Sequence, residues 1–142
     1  LQGIKIKAFS SFHDATSGKE RGSNLIFVLA ADDLTLVHTG DIGHDLDADM
    51  LKKIGKVDIV LLPVGGFFTI DADQAAKMIS ALTPRVTIPM HYKTGKCGFP
   101  IAPVEEFTKG KNNVRVLDKA ELEIGKENLP AKAEVLVLRH AL

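Results

Sequence analysis

The sequence is poor in cysteine and in net charge, and each shortage excludes a class of protein. Its one cysteine, Cys97, cannot form a disulfide within the chain, and this usage fits a reducing compartment. Eighteen basic side chains balance eighteen acidic ones, so no overall field attracts nucleic acid or an anionic membrane. We therefore expect a cytoplasmic protein without a nucleic-acid partner.

Long apolar runs are also absent. The longest, such as residues 59–62, are far shorter than the roughly 20 residues that cross a bilayer, so we expect no membrane partner. No charged and then apolar leader begins the chain, and secretion is not indicated. The first residue is Leu1 rather than a methionine, from which we expect a processed or truncated piece of a longer protein.

What is present is typical of a globular protein. The chain has 142 residues, 45% of them hydrophobic and 25% charged, which predicts a single domain over residues 1–142. Asp45 or Asp47 is the predicted cap of one clear helix and Asp71 that of a second, and residues 104–109 form a short third one. Period-two alternation and buried apolar runs predict strands at residues 4–9, 24–30, 34–37, 57–62, 85–88, 114–117 and 134–138. Strands that alternate with helices indicate an α/β layered fold.

Side chains that can bind a metal follow three of the predicted strands. His13 follows residues 4–9, Asp41 follows residues 34–37, and His91 follows residues 85–88. In layered α/β sheets, ligands collect outside the carboxyl ends of strands. Imidazole and carboxylate suit zinc, manganese or iron, so we predict that folding brings these three groups to a shared cation. For each histidine, an ordinary hydrogen-bonded role remains the alternative.

Residues 38–44, HTGDIGH, are the stretch around which this prediction is organised. Gly40 and Gly43 lack a Cβ, which lets the backbone turn tightly or approach a ligand closely. Glycine and aspartate are also ordinary turn residues, so the stretch is not specific by itself. Residues 64–66 and 94–96 do not fit the spacing of a phosphate-binding loop, and Cys97 is interpreted as an unreactive loop thiol.

Five stretches occur in the order FHD (12–14), RGSN (21–24), HTGDIGH (38–44), PVGG (63–66) and IPMHY (88–92). Together they resemble the metallo-β-lactamase superfamily, and within it the metal-dependent hydrolases related to L-ascorbate-6-phosphate lactonase. The resemblance covers residues 4 to about 93. It implies the second half of an αββα four-layer sandwich, together with its C-terminal extension. The family's His-x-His-x-Asp-His signature is absent from the chain.

The resemblance also implies roles for four side chains. His13 binds a first metal, Asp41 bridges two metals, and His91 binds the second. His44 lies near the site as a proton carrier or a substrate contact, so the implied catalytic residues are Asp41 and His44. The cofactor is two divalent metal ions, zinc with manganese or iron as alternatives. The implied reaction is hydrolysis of an ester, lactone or phosphodiester by a metal-bound hydroxide.

Three ligands drawn from two metal sites form a weak cage. We therefore expect weak metal binding and little or no turnover unless an N-terminal half is supplied. The absent layers leave an apolar sheet face uncovered, which indicates self-association or completion by that half. The substrate is expected to be a small molecule, and Tyr92, Lys93 and Lys96 are available to meet an anionic group on it. The alternative is that these loop lysines are merely solvated. A non-catalytic interaction domain derived from a metallo-hydrolase is the alternative, favoured by the missing signature.

Overall fold

The structure, a computed structural model, describes residues 3–140. This part of the chain contains strands and helices in alternation, which confirms the predicted α/β class. The strands are β1 (Lys5–Phe12), β2 (Ser23–Ala31), β3 (Leu34–His38), β4 (Ile59–Pro63), β5 (Val86–Met90), β6 (Val114–Leu117) and β7 (Glu134–Leu138). The helices are α1 (Ala48–Ile54), α2 (Ala72–Leu82) and α3 (Val104–Thr108).

All of these strands belong to one sheet, in the order β1-β2-β3-β4-β5-β7-β6. β1, β2 and β3 form an antiparallel meander, and β3 pairs in parallel with β4, which pairs in parallel with β5. The turn between β2 and β3 has positive φ at Asp32 and Asp33, as a two-residue hairpin turn requires. Since β1, β3, β4 and β5 run in the same direction, their carboxyl ends lie along one edge of the sheet, called the carboxyl rim below.

The three helices pack on one face of the sheet. Inward-facing strand residues such as Ile26, Val37 and Val60 are fully buried there against Met78 of α2 and Phe107 of α3. This packing follows from period-two alternation in β2 and β3 and from the apolar stripe of α2.

Of the two predicted candidates for the cap of α1, the structure has Asp47 rather than Asp45, and the predicted cap Asp71 of α2 is confirmed. The Asp47 side chain accepts a hydrogen bond from Met50 N at 2.7 Å and so begins α1. Asp71 and Gln74 form a reciprocal capping box at the start of α2. These local hydrogen bonds satisfy backbone donors that the first helical turn leaves without a partner.

The other face of the sheet is covered only in part. Leu122, Ile124 and Leu129, from the connection between β6 and β7, pack on its central strands. Towards β1 and β2 the face is open, with Ile6 51%, Leu25 45% and Phe27 37% exposed. The pairing of Ile6 with Leu29 and of Ala8 with Phe27 puts these side chains on one surface, called the open face below.

Two strands extend beyond their predicted ends by two residues or more. β1 was expected to end at Phe9 but continues to Phe12, because its pairing with β2 runs on to Ser23. β5 was expected to end at Ile88 but continues to Met90, because Pro89 and Met90 remain in register with β4. Among the helices described, none is both long and apolar enough to cross a bilayer.

Candidate metal centre

The three predicted metal ligands lie at the carboxyl rim. His13 directly follows β1, His91 directly follows β5, and Asp41 comes shortly after β3. These three strands run in the same direction, so the residues after them emerge on the same side of the sheet. The rim therefore has the composition of a metal site, and the loops decide how closely the side chains approach one another.

Asn24 connects the segments that carry His13 and Asp41. Its side-chain amide donates hydrogen bonds to Ser11 Oγ and to Thr39 O, both at 2.8 Å. Its side-chain oxygen accepts from Asp41 N at 3.0 Å. One side chain thus fixes the opening of β2 to β1 and to the loop after β3.

Two glycines allow loops to touch the backbone of the candidate histidines. A Cβ added at Gly43 would lie 2.4 Å from His13 O, and one added at Gly65 would lie 2.3 Å from His91 O. Such distances are far below a normal carbon–oxygen contact, so any other residue would push the two segments apart. The sequence analysis predicted that Gly43 allows a close approach, although to a ligand rather than to the backbone of His13. It did not predict the close approach of Gly65.

Within residues 3–140, His13 Nε2 and His91 Nδ1 are imidazole nitrogens that are buried without a hydrogen-bond partner. An unsatisfied buried polar atom costs about 1–3 kcal/mol, and native proteins leave few of them. His91 also has a φ of 51°, a left-handed conformation that is strained for a residue with a side chain. An imidazole nitrogen without a hydrogen bond to the protein has a lone pair that can bind a cation. His13 Nε2 and His91 Nδ1 are therefore both suited to be metal ligands.

The three residues alone do not form a closed metal cage. Within residues 3–140, no group of three or more histidine, cysteine, aspartate or glutamate side chains is arranged to hold a metal ion. The carboxylate of Asp41 lies on an exposed residue, whereas the free histidine nitrogens are buried. His13, Asp41 and His91 thus share a rim but do not by themselves form a metal site in this part of the chain.

Both ring nitrogens of His44 contact the backbone. Phe12 N donates to His44 Nε2 at 3.2 Å, so the ring proton is on Nδ1, which donates to Asp45 O at 2.7 Å. His44 therefore holds the loop after β3 against the end of β1. Its predicted role as a proton carrier requires one of these hydrogen bonds to break, and that role stays a prediction.

The sequence interpretation missed Asp14, which organises the loop after His13. Its buried carboxylate accepts hydrogen bonds from the backbone N–H groups of Thr16, Gly18, Glu20 and Arg21 and from the Thr16 hydroxyl. Burial raises the pKa of Asp14, but the hydrogen bonds outweigh burial and hold the pKa well below its usual range. The available signal was a threonine two residues after an aspartate, a pattern typical of a side-chain turn.

Comparison with known proteins settles the family. Residues 1–91 match the family model for the beta-lactamase superfamily domain. The chain belongs to the metallo-β-lactamase superfamily. A candidate Zn-dependent hydrolase of this superfamily from Thermotoga maritima superposes with a TM-score of 0.84 at 34% identity, covering 96% of this chain and 66% of that one. The predicted recognition and fold class are thereby confirmed.

Several archaeal relatives bear the name UPF0173 metal-dependent hydrolase. The Thermococcus onnurineus protein is 37% identical over 125 residues, covering 86% of this chain and 52% of its own length. The Pyrococcus horikoshii protein is 36% identical over 127 residues, covering 87% of this chain and 53% of its own length. The chain thus spans about half the length of the curated metallo-β-lactamase superfamily relatives it matches.

Proposed function

We propose that the native polypeptide containing this chain is a metal-dependent hydrolase and that this chain supplies part of its metal ligands. The observation that carries the proposal is the pair of buried, unpartnered imidazole nitrogens, His13 Nε2 and His91 Nδ1, at one rim of the sheet. The relatives named metal-dependent hydrolases support the same activity. A bound divalent ion, zinc or alternatively manganese or iron, lowers the pKa of water to near 7 and supplies a nucleophile at neutral pH.

Each residue has a proposed task in the complete site. The imidazoles of His13 and His91 and the carboxylate of Asp41 would hold the divalent metal ions. Asn24 keeps Asp41 in place through the hydrogen bond from Asp41 N. His44, in the tautomer with its proton on Nδ1, fixes the backbone next to His13. The substrate is a small-molecule ester, lactone or phosphodiester with an anionic group.

The remaining ligands are proposed to come from sequence outside this chain. Residues 1–142 form one domain in this proposal, and an N-terminal half completes the fold and the site. The open face, with Ile6, Leu25 and Phe27, is the apolar surface available to that half or to a second copy of the chain. The single cysteine supports a cytoplasmic location.

Calorimetric titration with Zn²⁺ tests the ligands in the native polypeptide. We expect His13→Ala and His91→Ala each to weaken zinc binding by at least about tenfold. His38→Asn is the matched control, because the Nδ1 of His38 already accepts a hydrogen bond from Gly40 N at 3.0 Å and asparagine offers an oxygen in its place. Wild-type zinc affinity in both alanine variants would overturn the proposal.

The isolated chain separates the hydrolase from a second candidate, a non-catalytic interaction domain. The absence of a three-ligand group in residues 3–140 favours the second candidate for the chain on its own. We expect residues 1–142 alone to bind zinc weakly and to hydrolyse neither a lactone nor bis-p-nitrophenyl phosphate measurably. Tight zinc binding by the isolated chain would refute the claim that its ligands are incomplete. Inactivity of the metal-loaded native polypeptide would favour the interaction domain over the hydrolase.

A further inference from the structure

We propose that Phe67, Phe68 and Phe99, together with Arg21, bind the substrate of the proposed site and select esters that join a flat aromatic group to a negative charge. This inference rests on the proposed function and adds the class of substrate to it. The four residues are called the aromatic shelf below.

The three phenylalanine rings form one contiguous cluster that faces solvent. The ring centroids of Phe67 and Phe68 are 4.6 Å apart at an interplanar angle of 80°, and those of Phe68 and Phe99 are 5.6 Å apart at 83°. Phe67 is 63% and Phe99 60% exposed. Exposed apolar clusters of this kind mark binding surfaces, and edge-to-face rings leave their outer faces free for a further ring.

The backbone at Phe67 is strained in a way that keeps its ring exposed. Phe68 N donates to Gly66 O at 2.8 Å, which closes a three-residue turn around Phe67 with a φ of 62°. Such turns are rare, and strain of this type persists at binding and catalytic sites where the surroundings hold it. Here the hydrogen bond from Gly66 N to Ile70 O, at 3.2 Å, holds this turn in place.

The shelf is built by the loops that position the candidate ligands. Gly65, two residues before Phe67, approaches His91 O, and Ile70 N donates to Ile42 O at 3.0 Å next to Asp41. The loop that contains Phe99 is fixed to the same segment by the hydrogen bond from Ala102 N to Gly65 O at 2.7 Å. A substrate that reaches the rim therefore meets the shelf.

The charge beside the rings is positive. The Arg21 guanidinium carbon lies 5.8 Å from the centroid of the Phe68 ring, and Arg21 Nη1 pairs with Glu20 Oε2 at 3.6 Å. Residues 93–103 add Lys93 and Lys96 and contain no acidic residue. A guanidinium above an aromatic ring presents donors to an anion and a flat surface to a ligand ring. The matching ligand is an anion that bears an aromatic group.

Two phosphonates that differ only in the apolar group test this specificity in the native polypeptide. We expect phenylphosphonate to bind roughly tenfold more tightly than methylphosphonate, with or without zinc, because only the former stacks on the shelf. The double variant Phe67→Ala with Phe99→Ala should lose this preference while keeping its affinity for methylphosphonate and for zinc. Arg21→Gln should weaken the binding of both phosphonates.

The control is Val116→Ala, which removes an apolar side chain of comparable exposure, 77%, from the distant strand β6. It should change neither phosphonate affinity. A preference that survives in the double phenylalanine variant would overturn the proposal. So would a fall in self-association on sedimentation in that variant, because the shelf would then be a protein interface.

The outcomes separate this inference from the proposed function. If zinc fails to bind while the metal-free protein still prefers phenylphosphonate, the hydrolase proposal falls and the shelf stands. If zinc binds through His13 and His91 but the two phosphonates bind equally, the shelf falls and the hydrolase proposal stands.

Discussion

At the scale of single residues, two glycines control where the candidate histidines lie. Gly43 touches the carbonyl group of His13, and Gly65 touches that of His91. Neither glycine has a positive φ, so the missing Cβ matters here for space rather than for backbone conformation. Steric exclusion of every larger residue is therefore what defines the relative position of these loops.

Gly43→Ala and Gly65→Ala should each weaken zinc binding by the native polypeptide and destabilise the fold. The added methyl group displaces a histidine backbone, and overpacking of this kind costs about 1–3 kcal/mol. Gly95→Ala is the matched control, because nothing lies within 4 Å of an added Cβ at Gly95. Zinc titration and urea unfolding measure both effects. Equal behaviour of all three variants would show that the contacts with the histidines do not matter.

Asp58 links the stability of the fold to pH. Its buried carboxylate accepts from Thr35 N at 2.9 Å and pairs with Lys56 Nζ at 2.9 Å. Burial raises the pKa of Asp58, but the bonds from Lys56 and Thr35 outweigh burial and lower it below its ordinary value. A lowered folded-state pKa means that the ionised form stabilises the fold above pH about 4 and that this contribution is lost as pH falls through the folded pKa.

Asp58→Asn should accordingly reduce the free energy of unfolding by about 1–3 kcal/mol at pH 7, because a buried hydrogen-bonded charge is lost. The difference from wild type should shrink below pH about 4, where the unfolded chain takes up the proton. Urea unfolding at a series of pH values gives this measurement, with the exposed Glu121→Gln as control. A difference that stays constant down to pH 2 would contradict the assignment.

At the scale of elements, the loop over residues 15–22 is ordered mainly by one side chain. Asp14 satisfies backbone donors at four positions of this loop, which otherwise has no strand or helix. The loop begins directly after His13, so its order also determines the surroundings of that ligand.

Asp14→Ala should make this loop a preferred site of tryptic cleavage at Lys19 and Arg21, because the backbone N–H groups lose their common acceptor. Limited proteolysis followed by mass spectrometry gives the positions and rates. Thr16→Val removes the hydroxyl and keeps the carboxylate, so it should accelerate cleavage far less. Equal cleavage of Asp14→Ala and wild type would mean that other contacts order the loop.

Several elements and part of the site could be predicted from the sequence. Apolar periodicity predicted the strands and helices, and local chemistry predicted the cap at Asp71 and narrowed the cap of α1 to Asp45 or Asp47. The predicted end of β1 at Phe9 was wrong. Serines such as Ser10 and Ser11 are typical of turns, but here their pairing with β2 keeps them extended. The location of the candidate ligands at the carboxyl rim could be predicted, because it follows from strand direction. The burial of His13 Nε2 and His91 Nδ1 could not be predicted, because it depends on packing between segments that are distant in the sequence.

At the scale of the whole molecule, the two faces of the sheet differ in how completely they are covered. Helices bury one face, whereas the open face leaves Ile6, Leu25 and Phe27 exposed near the β1 edge. A contiguous apolar surface of this kind favours association with another surface. The partner is proposed to be an N-terminal half or a second copy.

The isolated chain should therefore self-associate, and the double variant Ile6→Lys with Phe27→Lys should shift it towards monomer. Charged side chains on the open face would have to be buried without partners in the associated form. Sedimentation velocity at several concentrations measures the shift. Val116→Lys, at the opposite edge of the sheet, is the control and should associate like wild type. A monomeric wild-type chain at high concentration would contradict the expectation.

The strand order also determines the sequence in which the sheet can assemble. Strands β1 to β5 each pair with their neighbour in the chain, so the growing polypeptide can add them one by one. β6 is different: among the described strands its neighbour is β7, which comes later in the chain and lies between β6 and β5. This strand order means that β6 can take its place in the sheet no earlier than Glu134–Leu138.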